Sequence, residues 1–346
     1  VSHLPNRIPD IESEKRLAEI RRKASQAEPL TRGVVPVGAP FPPPIPDAGY
    51  YDIPLLKEPQ WTHEVPLYFF LGGAAGAAAL VASVEKAVNH EADLVRSARW
   101  VAALGGSLSA ALLTSDLGVP SRFLNMLRVF KIQSPMSVGA WTLTAFSTFS
   151  AASAFANLLR GKLGESKPVA VIEDGSGMLA AATGLLMASY TGVLVGATVI
   201  PVWNRHIGSL PIHFAASGLN SAVSILELMG HGNTSLNALG LAASAYETAE
   251  GAIIELTRDR VNQPLQRGKS GLIVRLGGVL SGPAPFALRL AYALTGKRGL
   301  RKAAAVCSVA GSLLTRFGWV EAGKASARDY VIPLQAPATN LWSYSA

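Results

Sequence analysis

Residues 65–84 read VPLYFFLGGAAGAAALVASV, twenty positions without a charged side chain. An α-helix rises about 1.5 Å per residue, so such a run reaches across the roughly 30 Å hydrocarbon core of a bilayer. This stretch therefore predicts a membrane-spanning helix. Gly72 and Gly76 stand four apart within it. Small residues at that spacing let a neighbouring helix approach closely.

Similar runs recur at about Arg99–Leu113, Pro135–Leu159, Gly177–Ile200, Leu210–Met229, Ser235–Leu256, Gly271–Leu294 and Ala303–Val320. Together with the first they predict an all-α integral membrane protein with about eight transmembrane helices. The second run is short, and glycines interrupt the first, seventh and eighth. Composition agrees. Only 16% of residues are charged, against about 25% in a soluble domain, and the mean hydropathy is +0.29.

The formal charge of +8 is read as loop and tail lysines and arginines lying near anionic lipid headgroups. No basic stretch is interleaved with aromatics, which argues against nucleic acid as a partner. Lys and Arg totals on alternate loops are similar, so they leave the orientation open. Trp61, Tyr68, Trp100, Trp141, Trp203 and Trp319 fall near predicted helix ends, as an interfacial aromatic belt would require.

Residues 1–60 differ in kind from the rest. A charged segment, Ile11–Ala27, precedes a proline-rich one, Val35–Pro46. Polyproline geometry is extended and does not pack as a domain, so this part reads as an arm, either partner-contacting or disordered. No basic segment followed by an apolar one marks a cleavable signal peptide there. The expected organisation is an arm over 1–60, a transmembrane helical domain over 61–322 and a tail over 323–346.

Cys307 is the single cysteine. The chain therefore forms no internal disulfide and houses no cysteine-ligated iron–sulfur cluster. Cys307 lies in an apolar run and reads as packing. No HExxH or Cys/His metal pattern is present, and no metal or haem bound by this chain is expected.

Four stretches carry candidate chemistry. At the entrance of the first run, His63 and Glu64 sit just outside the hydrocarbon region. A histidine or carboxylate there can hydrogen-bond a quinone carbonyl and exchange a proton with it, although solvation by headgroups explains the same residues. Asp116 closes the second run. A carboxylate at membrane depth needs a partner, here Arg122 or Arg128, and either relays a proton or caps a buried turn. Tyr190 lies in the fourth run, and its hydroxyl needs a partner from a neighbouring helix or a headgroup. Finally, His213, Glu227 and His231 lie along run five, and Glu247, Glu250 and Glu255 along run six. Glu247 and Glu250 are three apart and so share a helix face, and such a file suggests a hydrated proton route.

Three blocks carry a family resemblance: PLYFFLGGAAGA from Pro66, SDLGVPSRFLNMLRVFKIQSPMSVGAW from Ser115, and SYTGVLVGATVIPVW from Ser189. With these blocks the chain resembles the NrfD/polysulfide reductase membrane-subunit family. The resemblance is good over about residues 61–205 and weak beyond. It implies two four-helix bundles in the bacterial cytoplasmic (inner) membrane. It implies a subunit that carries no redox centre of its own and docks a four-cluster ferredoxin-like iron–sulfur subunit. That partner would be wired to a molybdopterin-type or other catalytic subunit. The cofactor implied is menaquinone or ubiquinone. The family's headgroup histidine and tyrosine fall on His63, with Glu64 beside it, and Tyr190. Its helix-two acid falls on Asp116, with Arg122 as a further candidate near the headgroup. An Asn found near the His in some relatives has no clear counterpart here.

Three functions compete at this stage. The chain is expected to be a quinone-reactive anchor subunit of a respiratory oxidoreductase. The alternatives are a passive anchor in such a complex, and a secondary transporter or proton channel suggested only by membrane acids and broken helices.

Overall fold

The computed structural model describes residues 56–117, 121, 123–164 and 166–329, together with Glu19 and Arg22. The chain divides into two units, Val1–Phe41 and Pro42–Ala346. Of the first unit only Glu19 and Arg22 are described, so the expected arm falls almost wholly outside the described residues. So does the tail beyond Asp329.

The described part of the second unit is helical and contains no strand. Its main helices are α1 (Glu64–Val88), α2 (Ala92–Asp116), α3 (Pro135–Leu163), α4 (Lys167–Gly196), α5 (Leu210–Leu228), α6 (Thr234–Leu256), α7 (Gly268–Ser281), α8 (Pro283–Thr295) and α9 (Arg298–Arg328). Single turns at Phe123–Met126, Pro201–Arg205 and Gln263–Gln266 lie in the connections.

Local chemistry sets the boundaries. Glu64 opens α1 and Lys86 lies in its last turn, each complementing the helix dipole. His90 then takes a left-handed φ of 59° and turns the chain towards α2. The Ser134 side chain caps α3 by accepting from the Ser137 amide, and Pro135 occupies a first-turn position that lacks a hydrogen-bonding obligation. Asn233 caps α6 in the same way through the Leu236 amide at 2.8 Å.

Run seven is one apolar stretch in sequence but two helices in space. It breaks at Gly282, between Ser281 and Pro283. Pro283 cannot donate an amide hydrogen, and neither can Pro285, so the helical ladder is interrupted here.

Four segments are long and apolar enough to cross a membrane: Glu64–Val88, Lys167–Gly196, Gly268–Thr295 and Arg298–Arg328. The last extends well past Val320, where its apolar run ends. Helices α1 to α4 pack into one group, α1 against α2 and α4, and α3 against both. In a second group α5, α7 and α8 pack against α9 while α6 packs against α5, α7 and α8, and α5 joins the two groups through α1 and α4.

Glycines make these contacts possible. A Cβ on Gly76 would stand 2.3 Å from the Gly184 carbonyl oxygen, and one on Gly218 would stand 2.7 Å from that of Gly73. The Gly72/Gly76 spacing thus has two uses. Gly76 receives α4, while Gly72 faces Met187, Ser109 and Tyr68.

The aromatic belt needs correction. Trp203 is fully buried and Trp319 is 1% exposed. Trp61 stacks on Trp203 with ring centroids 5.0 Å apart, and the Trp203 indole N–H donates to the Trp319 carbonyl at 2.8 Å. These three form a packed interior cluster, and Trp141, 40% exposed, keeps a surface position.

Candidate functional site

Helices α1 to α4 alternate in direction: α1–α2 and α3–α4 are joined by three residues each, and α2–α3 by the longer connection 117–134. The start of α1, the end of α2, the start of α3 and the end of α4 therefore share one face of the bundle. His63, Glu64 and Asp116 meet there. Thr62 Oγ1 donates to Asp116 Oδ1 at 3.0 Å and also contacts Glu64 Oε2. His63 Nε2 lies 3.3 Å from Glu64 Oε1. Thr62 has one hydroxyl proton for two carboxylates. The His63 side chain remains 72% exposed.

Below this rim lies a set of buried hydroxyls. Tyr68 is one turn into α1, and Tyr190 lies six residues from the end of α4, about 9 Å below the rim at helical rise. Tyr190 is 7% exposed, and its ring lies over the backbone of Gly139 in α3. The hydroxyls of Tyr68, Ser109, Ser147 and Thr191 are buried without a hydrogen-bond partner in the structure. Such groups are costly when unpaired and call for a ligand or water. Tyr68 and Ser109 both flank Gly72, where the Met187 side chain packs so closely that an added Cβ would stand 2.5 Å from its Cε.

The sequence singled out His63 and Glu64 separately from Asp116, and the structure brings the three together through Thr62. Asp116 accepts from Thr62, and Arg128, one of its two expected partners, is exposed. Arg122 lies outside the described residues. Asp116 is half-buried at the helix end rather than deep within it.

Sequence reasoning passed over several buried charges. Glu173 of α4 pairs with Arg99 of α2, lies 3.7 Å from Lys86 and 3.4 Å from Arg160, and accepts from Asn157 at 3.1 Å. A small cavity beside Arg99 is lined by Ser83, Ser150, Ser153 and Gly177. In the second group Arg289 donates to Glu227 at 2.8 Å and to Ser224 at 3.0 Å, with both charges fully buried. Arg316 is 1% exposed. The available signal was the charge itself, since Arg289 and Arg316 both interrupt apolar runs.

The acids of run six separate in space. Glu247 and Glu250 are buried on one face, while Glu255 is exposed and pairs with Arg275 at 2.5 Å. His206, in the connection between α4 and α5, contacts Asn262 Oδ1 at 2.9 Å. Burial lowers its pKa below the ordinary histidine value, although the Asn262 hydrogen bond opposes the shift.

The profile of one protein family, described as Polysulphide reductase, NrfD, matches residues 56–231, just over half of the 346 residues. The chain belongs to the polysulphide reductase NrfD family. The matched residues contain the rim, the buried tyrosines and all of α1 to α5. NrfD proteins are membrane subunits that pair with oxidoreductase subunits in respiratory complexes. No curated protein matches the chain. The NrfD match ends at His231, so α6 to α9 rest on their own geometry.

Proposed function

We propose that this NrfD protein is the quinone-reactive membrane subunit of its complex, passing electrons between a partner iron–sulfur subunit and the menaquinone or ubiquinone pool. The observation that carries this reading is the vertical pairing of a rim of ionisable side chains, His63, Glu64 and Asp116, with orphaned hydroxyls beneath it. A bound quinone supplies two-electron, two-proton carrier chemistry.

The chain's own residues supply the rest. Tyr190 and Tyr68 offer hydroxyl donors towards a headgroup carbonyl, and Gly139 gives the Tyr190 ring its position. His63 offers a second hydrogen bond at the rim. Asp116 and Glu64, joined through Thr62, hold a proton and pass it to or from the exposed His63. The donor set fits a neutral, two-carbonyl ligand better than a metal, because no group of three or more His, Cys, Asp or Glu among the described residues could hold one.

The subunit crosses the bacterial cytoplasmic membrane eight times in this reading, with α7 and α8 as one broken crossing. Lipid-facing apolar side chains support it. Leu104 and Leu108 of α2, Phe155 of α3, Ile212 of α5 and Ile253 of α6 are all exposed. Those helices fall outside the four most apolar segments, yet each presents large apolar side chains outward, as a bilayer would favour.

A photoreactive quinone analogue tests the site. Crosslinks in the intact complex are expected on peptides holding Tyr68 or Tyr190, with competition by unlabelled quinone. Labelling confined to other subunits would exclude the proposal.

A further inference from the structure

The second helix group holds ionisable side chains that the rim chemistry does not use. His213 of α5, Glu247 and Glu250 of α6 and Arg316 of α9 are each at most 7% exposed. His213 Nδ1 lies 2.5 Å from Glu250 Oε2. Asn220 Nδ2 reaches Glu247 Oε1 at 3.3 Å and the Ser281 carbonyl at 2.8 Å. That carbonyl has no helical donor because Pro285 stands four residues on. Arg316 Nη2 donates to the Phe214 carbonyl at 2.8 Å, and its guanidinium lies 3.7 Å from the Phe214 ring centre.

Several polar atoms in this cluster have no hydrogen-bond partner. They are both ring nitrogens of His213, both carboxylate oxygens of Glu250, Asn220 Oδ1, Glu247 Oε2, and Nε and Nη1 of Arg316, so His213 and Glu250 approach as an ion pair without hydrogen-bond alignment. Two carboxylates here face one guanidinium. An unbalanced charge in such an interior is expensive. Arg316 balances one carboxylate. The other becomes neutral only by gaining one proton, on its own oxygen or on the imidazole 2.5 Å away.

We infer that His213 and Glu250 share one exchangeable proton inside the second helix group, reached from the face of the His63 rim through His206. His206 and His213 both flank Trp319, with ring centroids 5.3 and 6.1 Å from it. His206 is half-buried in the connection on that face and interacts electrostatically with Glu250. Arg205 and Asp259 act on His206 in turn. Glu250 and Glu247 both act electrostatically on Tyr246 of α6. In the opposite direction the next acid, Glu227, is committed to Arg289. The proton site therefore communicates with one face only.

Infrared difference spectra across a pH titration test this in the full-length chain in lipid nanodiscs. The wild type is expected to give a titrating imidazole–carboxyl signal that Glu250→Gln removes and Glu255→Gln retains. In His213→Asn the proton has only the carboxyl group to occupy, so a protonated-carboxyl stretch is expected to appear. After a pH jump, His206→Phe is expected to slow the signal about tenfold or more. Glu250→Asp keeps the acid and is expected to move the signal in frequency, which keeps the test decisive if Glu250→Gln does not fold. A titration identical in wild type and Glu250→Gln, or an unmoved signal in Glu250→Asp, overturns the shared proton. An unchanged rate in His206→Phe overturns the one-sided route.

Discussion

The ring of Tyr190 lies so close to Gly139 that a Cβ at residue 139 would fall 1.9 Å from the tyrosine Cζ and hydroxyl oxygen. No side chain fits there unless the ring moves. Gly139→Ala is therefore expected to displace Tyr190 and lower quinone-linked turnover at least as much as Tyr190→Phe does. Turnover of the intact complex, normalised to subunit content, checks this. Activity equal to wild type would mean that the position of Tyr190 does not matter.

Glu173 is the single buried carboxylate that receives Arg99, Lys86 and Arg160. Removing it leaves the buried Arg99 without its carboxylate, while Lys86 keeps Asp174. Breaking a buried pair costs about 3–5 kcal/mol. Glu173→Ala is expected to lower thermal stability in detergent more than Arg99→Met, since the latter leaves Glu173 two cations. Combining Arg99→Met with Glu173→Leu is expected to recover part of the loss. Equal shifts for both single variants would contradict the shared role of Glu173.

The seam between the two helix groups depends on Gly218 against Gly73. A Cβ on Gly218 would meet the Gly73 carbonyl oxygen at 2.7 Å, and backbone cannot swing aside as a side chain can. Overpacking of this kind costs about 1–3 kcal/mol. Gly218→Ala is expected to lower the melting temperature, whereas Gly251→Ala, where the added Cβ meets nothing within 4 Å, leaves it unchanged or slightly raised. Differential scanning fluorimetry in detergent separates the two.

His206 gives stability a pH dependence of known sign. Burial lowers its folded-state pKa, so the unfolded chain binds a proton first as pH falls. The contribution of the neutral side chain is complete above the ordinary histidine value of about 6.5. It declines as pH falls through that value towards the lower folded-state pKa. His206→Asn is expected to flatten the fall in melting temperature between about pH 7.5 and 5.5. An unchanged slope would mean that His206 titrates alike in both states.

Much of this architecture was legible in the sequence. The run Val65–Val84 lies within α1, Pro135–Leu159 within α3, and Leu210–Met229 matches α5 to one residue. Charge-free length governs both the pattern and the helix, so they agree. The individual rim residues were legible as ionisable groups at helix ends, but their meeting was not; it follows from the antiparallel packing of α1 and α2. Thr62 was not legible as the link, since a 54-residue separation hides the contact. The buried Arg99–Glu173 pair was missed for a related reason: averaging over a window dilutes a lone charge, and its partner lies 74 residues away. Trp203 and Trp319 look interfacial by position, but the second helix group covers them.

The reading of this subunit as quinone-reactive meets its most direct test in one assay. His63→Ala and Tyr190→Phe are to be compared with wild type for quinone-linked turnover in the purified complex, with partner-subunit content measured in each preparation. Turnover is expected to fall about tenfold or more in each variant while subunit content holds, since positioned proton-transfer groups contribute on that scale or above. Wild-type turnover in both variants, with all subunits retained, would show that these residues serve only to anchor.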